Sequence, residues 1–586
     1  MGDSPNNPPV QPPGGAKELS MEMRLLIAFL LMGLVLFLTP YIYKPAAPPP
    51  KASAAADKKS DQKPATSQPA QPAATKPAAV QPAGPPPGQI AAEKEEAVTI
   101  ETALYRIVFS NRGAVVKSWT FKEKRYADNK GQPLQVVNQA ALAKVPAPFS
   151  LDFRGEKPAT DVNQALYVVR KASDGMGVEF EFSDGRTSVR KSFQFSEKSY
   201  LSKVTSEVLQ GGVRLPHLLV WRGGFGDPTV ENPAAAQHSV HFDLSANKLV
   251  VNEAKVAKEG PAPATGNFSF AGLEDHYFAA VFLPVSNVTA VETVTYSDPV
   301  PVPATGKEEP HVGAGVGMGG QNVFSLFVGP KDIGLLEKID PKLTGLIDWG
   351  WFWFLAKPLF ASLRWVYDHV VHNYGWAIII VTVVINMLTL PLRLSSMKSM
   401  KKMAAIQPQI AAINEKYKGI GMRDPRRQQQ NQEIMDLYKK HGVNPAGGCV
   451  PMLLQIPFFF AFYKVLTVAI ELRGASWLWV TDLSLPEHLP IRVLPVTMIV
   501  TQFILQKMTP STSADPAQQR MMLFMPLMLG FFFYGVSSGL VLYWLTGNVI
   551  GIIQQLVFNR MNFGAAAPVA PTPAAAGSSR KRGSRK

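Results

Sequence analysis

The residues that could do chemistry here are amides and hydroxyls set inside otherwise apolar runs. Thr382 and Asn386 lie in the run 376–392, Gln455 in 450–470, Gln502 in 493–508, and Thr546, Asn548, Gln554 and Gln555 in 540–558. An amide facing lipid without a partner costs several kcal/mol, so such groups must meet one another or water. Each of them taken singly reads as glue between helices; spread over four runs they predict a hydrated groove. A charge at a bilayer centre costs roughly 2.5 to 3.5 kcal/mol, so a polar tail with three charges faces on the order of 10 kcal/mol. A wet groove under a thinned bilayer would remove much of that barrier. Burial of about twenty apolar residues at roughly 0.3 to 0.6 kcal/mol each would offset more of it. So would the membrane potential, at about 2.3 kcal/mol per 100 mV for each negative charge moved outward. Such a device needs no catalytic side chain.

Other chemistries find little support in the sequence. The lone cysteine, Cys449, excludes an internal disulfide framework and a Cys-rich zinc site. His238 and His241 lack a third ligand at recognisable spacing, and nothing resembles His-Glu-x-x-His, so with His217 and His276 they read as ordinary histidines. No phosphate-binding Gly-x-x-x-x-Gly-Lys-Ser/Thr loop occurs. Neither metal nor cofactor nor small-molecule substrate is implied, and the chain is not expected to be an enzyme. The net charge of +15 is gathered beside apolar runs and at the C-terminus, which points to membrane orientation before nucleic acid.

The elements that must position these residues follow from composition. Residues 25–43 form an apolar first anchor after a cytoplasmic stretch 1–24; a cleaved signal peptide is the competing reading, with Ala52-Ser53-Ala54 supplying small residues. Residues 44–96, rich in Pro and Ala, cannot bury enough apolar surface to fold and make a tether. Short alternating runs over 97–340 predict a β-sandwich domain. The stretch 341–372, with aromatics concentrated over 349–366, predicts a helix lying in the membrane interface. The core, 373–562, has spans at 376–392, 450–470, 493–508, 521–534 and 540–558, several of them short for a bilayer. Between Leu392 and Val450 stand eleven Lys or Arg against four acids, so that loop is cytoplasmic. Alternation puts the β-domain outside and both termini inside, with a basic tail at 563–586.

The cytoplasmic loop 393–441 carries Met403, Ile406, Ile410, Ile413 and Tyr417 on one helical face. Asp424 and Pro425 then start a second helix, making a helical hairpin. Its Met content suggests docking of hydrophobic segments at Met397, Met400, Met403, Ile410 and Tyr417.

The chain resembles the YidC/Oxa/Alb family of bacterial membrane protein insertases, in the Gram-negative form with a large periplasmic domain. The resemblance is carried by Asp348-Trp349-Gly350-Trp351-Phe352-Trp353-Phe354, Val443-Asn444-Pro445-Ala446-Gly447-Gly448-Cys449, Gln455-Ile456-Pro457-Phe458-Phe459, Gln506-Lys507-Met508-Thr509-Pro510 and Ser538-Gly539-Leu540-Val541-Leu542-Tyr543-Trp544, in that order. It implies a polytopic α-helical inner-membrane protein of six spans, with a five-helix insertase core. It also implies a periplasmic all-β supersandwich of galactose-mutarotase type, with no sugar activity attached. By the same resemblance the partners are nascent membrane proteins, the Sec translocon and membrane lipid, with the ribosome a further candidate through the basic tail and cytoplasmic loops. Ile456, Phe459, Leu527 and Phe532 fall at the family's greasy client-contact positions, and Thr382 at a polar groove position. Two positions depart from the pattern. The groove arginine is replaced by Asn386 and a mid-span tyrosine by Trp544, and with Arg393 nearer the cytosolic edge the expectation is a neutral groove. The rivals from other classes are a secondary transporter and an anchored periplasmic carbohydrate-binding protein. The first should show repeat symmetry, which is not visible; the second would not explain the cytoplasmic hairpin.

Overall fold

The computed structural model describes residues 88–561 apart from 129, 231, 286–289, 303–305, 420–423, 445–449 and 511–515, and leaves aside the side chains of 450–452, 454, 516–523 and 532. The expected first anchor, almost all of the tether and the basic tail lie outside the described residues.

Strands begin at Ala97 and end at Pro330. Alternation drives them: Gly177–Ser183 and Thr187–Gln194 turn Val178, Phe180, Val189 and Phe193 inward while Arg190 and Gln194 stay exposed. All pairings between the strands are antiparallel, in sheets of three, five and ten strands. One apolar core joins the three sheets, centred on Trp119, whose ring centroid lies 6.3 Å from that of Trp221 and 6.0 Å from that of Phe195. Lys191 shares the inward face with Val189 and Phe193 and is fully buried. Its ammonium donates to the carbonyls of Gly113 at 2.7 Å, Phe149 at 2.8 Å and Ala114 at 3.3 Å. Gly113, Ala114 and Phe149 all have positive φ, so the lysine ties together turn carbonyls that no strand partner could reach.

The helices are α1 (Ile333–Ile339), α2 (Trp353–His369), α3 (Tyr374–Leu388), α4 (Leu390–Lys416), α5 (Arg426–Lys440), α6 (Val450–Val468), α7 (Val493–Met508), α8 (Pro516–Phe533) and α9 (Ser538–Arg560). On α2, Ala356, Leu359, Phe360, Leu363 and Val366 are buried, whereas Trp353, Phe354 and Trp365 are more than half exposed. That two-sidedness is what an interfacial helix requires. By length and composition α9 alone among the described helices is apolar enough to cross a membrane unaided; α3 and α4 qualify only together, bent by 60°. The bend falls where Pro391 opens α4, since a proline has no N–H to continue the α3 ladder. With 16 residues α7 is roughly 24 Å long, against a hydrocarbon core of about 30 Å.

α4 and α5 pack against each other. Met403, Ile406 and Ile410 pack with Val443 against Ile434, Leu437 and Tyr438, and the Tyr417 hydroxyl donates to Glu433. Pro425 is the residue before α5 and not its first, with Asp424 accepting from the Arg426 amide at 2.9 Å. The docking role expected for Met397, Met403, Ile410 and Tyr417 meets a correction: all four are buried, and Met400 is partly so. The apolar stripe that periodicity picks out is largely consumed by the packing of α4 against α5.

The β-domain and the bundle are keyed together. Val468, at the end of α6, and Ile470 just beyond it belong to the β-domain core. Arg473 follows, buried against Asp227, donating to the Ala127 carbonyl at 2.9 Å and lying 5.2 Å above the Tyr277 ring. His276 Nε2 lies 2.7 Å from the Thr467 carbonyl oxygen, and Lys464 pairs with Asp348 at 2.6 Å.

Replacing Lys191 by Met leaves three carbonyls without their donor. The expected loss is about 3 kcal/mol of β-domain stability, read as faster hydrogen exchange in strands Thr187–Gln194 and Leu201–Gln210 of the full-length protein with α9 protection unchanged. Unchanged exchange in those strands would remove the structural role assigned to the lysine.

Candidate functional site

The polar residues of the spans separate into three groups. The first lines a cavity of about 110 Å³ bounded by Ile385, Asn386, Thr389, Leu392, Arg393, Gln455, Phe458 and Tyr543. That is room for several waters among groups able to bind them. Asn386 donates to the Thr382 carbonyl at 2.8 Å, and its Oδ1 faces Nη1 of Arg393 at 3.4 Å. The guanidinium reaches across to α9, where a methyl group added to Gly551 would stand only 2.6 Å from Nη2. No carboxylate among the described residues lines the cavity. The expected neutral groove is therefore corrected: it holds one cation, supplied from seven residues after Asn386. Two helical turns and the bend at Thr389 place both residues on one wall.

The second group clasps α7 to α9. Trp544 Nε1 donates to Gln502 at 3.3 Å, and Asn548 donates to the Met498 carbonyl and the Thr501 hydroxyl, both at 3.3 Å. These are interhelical bonds of the ordinary kind, each worth roughly 0.6 kcal/mol. The third group is satisfied within its own helix. Thr382 donates to the Ile378 carbonyl at 2.6 Å, Thr546 to Leu542 at 2.7 Å, and Gln555 to Asn559 at 3.1 Å. Gln554 fits none of the three: both atoms of its amide are buried with no partner among the described residues, so it calls for water.

Of the groove residues expected from the sequence, Asn386 and Gln455 reach the cavity, and Thr382 touches it only through its carbonyl's bond to Asn386. Gln502, Trp544 and Asn548 do not line it, and neither does Gln554. Tyr543 lines it in place of Trp544, stacked on Phe462 with ring centroids 4.2 Å apart. One residue along a helix is a turn of about 100°, enough to move the wall from one ring to the next. Thr389, Arg393 and Tyr543 were missed; the spacing from Asn386 to Arg393 was the available signal.

The greasy positions divide as well. Leu527 is 61% exposed and Phe531 88%, both on the outer face of α8, and Leu453 on α6 is also exposed. Ile456 is half-buried. Phe459 is buried, enclosed by Phe533 at 5.9 Å and Trp544 at 5.2 Å between ring centroids, so it supports the outer face without belonging to it. Phe532 lies on α8 with its side chain outside the described residues.

A helical bundle with a cavity lined by Arg393, keyed to a large antiparallel β-domain through the end of α6, defines a class of two-part protein. A family profile described as "60Kd inner membrane protein" matches residues 365–565, and one described as "YidC periplasmic domain" matches 97–362. A relative from Geotalea daltonii named "Membrane protein insertase YidC" is 34% identical over 558 residues, covering 92% of this chain and 99% of its own length. Another of the same name from Wolinella succinogenes is 47% identical over 238 residues, 40% of this chain and 43% of its own length. The solved structure titled "Active YidC insertase crystal structure with the first transmembrane domain resolved" is 19% identical, covers 91% of this chain and 99% of its own, and superposes with a TM-score of 0.35. The chain belongs to the YidC family of membrane protein insertases. It is an inner-membrane protein with a periplasmic β-rich domain.

In a Cys449→Ser background, single cysteines at Gln455 and Tyr543 should react with a hydrophilic maleimide at least tenfold faster than cysteines at Trp544 and Asn548. Equal rates at all four would mean that the cavity is not a distinct wet compartment.

Proposed function

We propose that this chain inserts and folds integral proteins of the bacterial inner membrane, without the Sec translocon or beside it, using the Arg393 cavity as the wet station for a client's polar flank. The curated relatives that span nearly its whole length carry the name insertase. The observation that carries the mechanistic reading is a guanidinium placed in a cavity where no described residue offers a carboxylate to neutralise it. Six spans, with α4 and α5 and the C-terminus in the cytosol, belong to the same proposal; the lysines and arginines of 393–440 support that orientation.

An acidic tail entering from the cytosol exchanges bulk water for the cavity's waters and the Arg393 charge. Its apolar segment meanwhile lies along the exposed faces of α6 and α8, where Leu453, Leu527 and Phe531 offer a greasy surface. Both moves happen together, so apolar burial offsets the desolvation of the tail at the moment it arises. Short helices thin the bilayer locally, which shortens the remaining polar path. Gln502, Trp544 and Asn548 hold α7 on α9 and keep the cavity's far wall in place. The Sec translocon, and the ribosome through the basic tail, enter as partners on charge and family membership alone.

At about 8 Å, with an effective dielectric of about 20, one client carboxylate gains about 2 kcal/mol from Arg393, roughly thirtyfold in rate. Arg393→Ala should therefore slow insertion of an acidic-tailed client into liposomes by about that factor, Arg393→Lys should restore most of it, and a neutral-tailed client should insert unchanged. Equal losses for both clients would refute the charge role, and solute uptake without client insertion would favour a transporter.

A further inference from the structure

A second cavity, of about 420 Å³, lies where the β-domain, α2, α3 and the segment after α6 meet. It is walled by Arg125 from the β-domain, Arg364 and Asp368 from α2, Tyr374 from the first turn of α3, and Glu471 from the 3-10 turn Ile470–Leu472. Nothing in the insertion reading uses it.

Its depth is marked by aromatic rings. Trp365, next to Arg364, is 58% exposed; Trp376, two residues past Tyr374, and Trp479 are also exposed, and a methyl group at Gly375 would collide with the Trp477 ring at 2.2 Å. Indoles gathered in this way on neighbouring elements settle at headgroup level, so the cavity opens at the headgroups of the leaflet nearer the β-domain.

Its charges have both signs and are incompletely matched. Arg364 approaches Asp368 no closer than 3.9 Å, and Arg125 is held by Glu123 through Nε at 2.9 Å, which leaves its terminal nitrogens for another acceptor. Arg473 is engaged by Asp227, and Asp332 accepts from the Leu335 amide at 2.9 Å. Glu471 is the outlier: its Oε1 is shut off from solvent and has no donor among the described residues. Burial, with the Asp332 carboxylate adding to it, pushes Glu471 up to about 7. Glu471 Oε1 thus has no hydrogen-bond donor among the described residues, although Arg364 and Arg125 are close enough to pull its pKa partly back, and both guanidiniums keep N–H groups beyond those their acid neighbours engage.

We propose that this cavity binds the headgroup of a phospholipid bearing a primary ammonium, with the ammonium donating to Glu471 and the phosphate accepting from Arg364 and Arg125. A phosphoethanolamine headgroup carries both charges at the separation of a two-carbon link. A choline headgroup has no N–H to give Glu471, and a glycerol headgroup brings no cation at all. Bound there, the lipid ties the β-domain to α2 and to the end of α6 at one point.

The test is native mass spectrometry of the full-length, detergent-solubilised protein offered phosphatidylethanolamine, phosphatidylcholine and phosphatidylglycerol of equal chain length. Phosphatidylethanolamine should be retained about tenfold over the other two. Glu471→Gln should abolish its advantage over phosphatidylcholine, and Arg364→Gln should weaken both. Arg125→Gln, on the β-domain side, should repeat the Arg364 effect, so that misfolding of one variant does not decide the matter; a thermal melt of each checks the fold. Equal retention of the three lipids by the native protein, or an undiminished preference in Glu471→Gln, would overturn the assignment. Soluble glycerophosphoethanolamine binding as tightly as the lipid would overturn the lipid as its source.

Discussion

A polar group inside a membrane bundle must find a partner or keep its water, and that constraint sorts every amide and hydroxyl in this core. Thr382 and Thr546 are satisfied by the carbonyl four residues back and line no cavity, whereas Asn386 and Thr389 make the same bond and still face one. Those facing a neighbouring helix become clasps, as Gln502 and Asn548 do. What remains, on the wall where α3 bends into α4, is a set with more hydrogen-bonding capacity than the protein supplies, and there the cavity opens. Arg393 is the extreme member. A guanidinium has five donors, and its one described bond here is a long contact to Asn386. Bulk at Gly551 would crowd it, so the absence of a side chain on α9 belongs to the same arrangement.

The constraint also explains what could be read from the sequence. The packed face of α4 was legible because Met403, Ile406 and Ile410 repeat at helical spacing, and the β-domain because its strands alternate with a period of two. Periodicity locates an apolar face without saying what covers it, which is why the stripe through Met403 and Ile410 suggests a docking surface although α5 covers it. Lys191 obeys the inward alternation of its strand, but only the backbone turns at Gly113 and Phe149 reveal why a lysine can sit there. In the core the error was one of angle. Tyr543 and Trp544 are adjacent in the chain, yet one lines the cavity and the other packs on Phe459 and Phe533. No spacing rule decides between them until the tilt of α9 is known.

The family resemblance contributed one expectation, a neutral groove, that Arg393 overturns. With an asparagine where members carry the groove arginine, a neutral groove followed from comparing single positions. The structure moves the comparison from positions to space: an arginine two turns later, past a proline bend, puts its charge beside Asn386. A long flexible side chain decouples where a charge is written from where it acts, so an amide and a guanidinium can share a site that elsewhere holds a guanidinium alone.

The β-domain is not merely tethered to this machinery. Val468 and Ile470 continue the line of α6 into the β-domain core, and Arg473 is locked to Asp227 between aromatic rings. Because α6 also supplies Gln455 to the cavity at its other end, any tilt of the β-domain is transmitted along one helix of 19 residues to the cavity wall. A buried ion pair contributes little net stability, yet losing one partner strands the other at several kcal/mol. The Arg473–Asp227 pair is therefore better understood as fixing an angle than as holding weight. The fixed angle is that of α6, the helix that carries both the exposed Leu453 and the cavity's Gln455, so the β-domain bears on the geometry of the cavity wall.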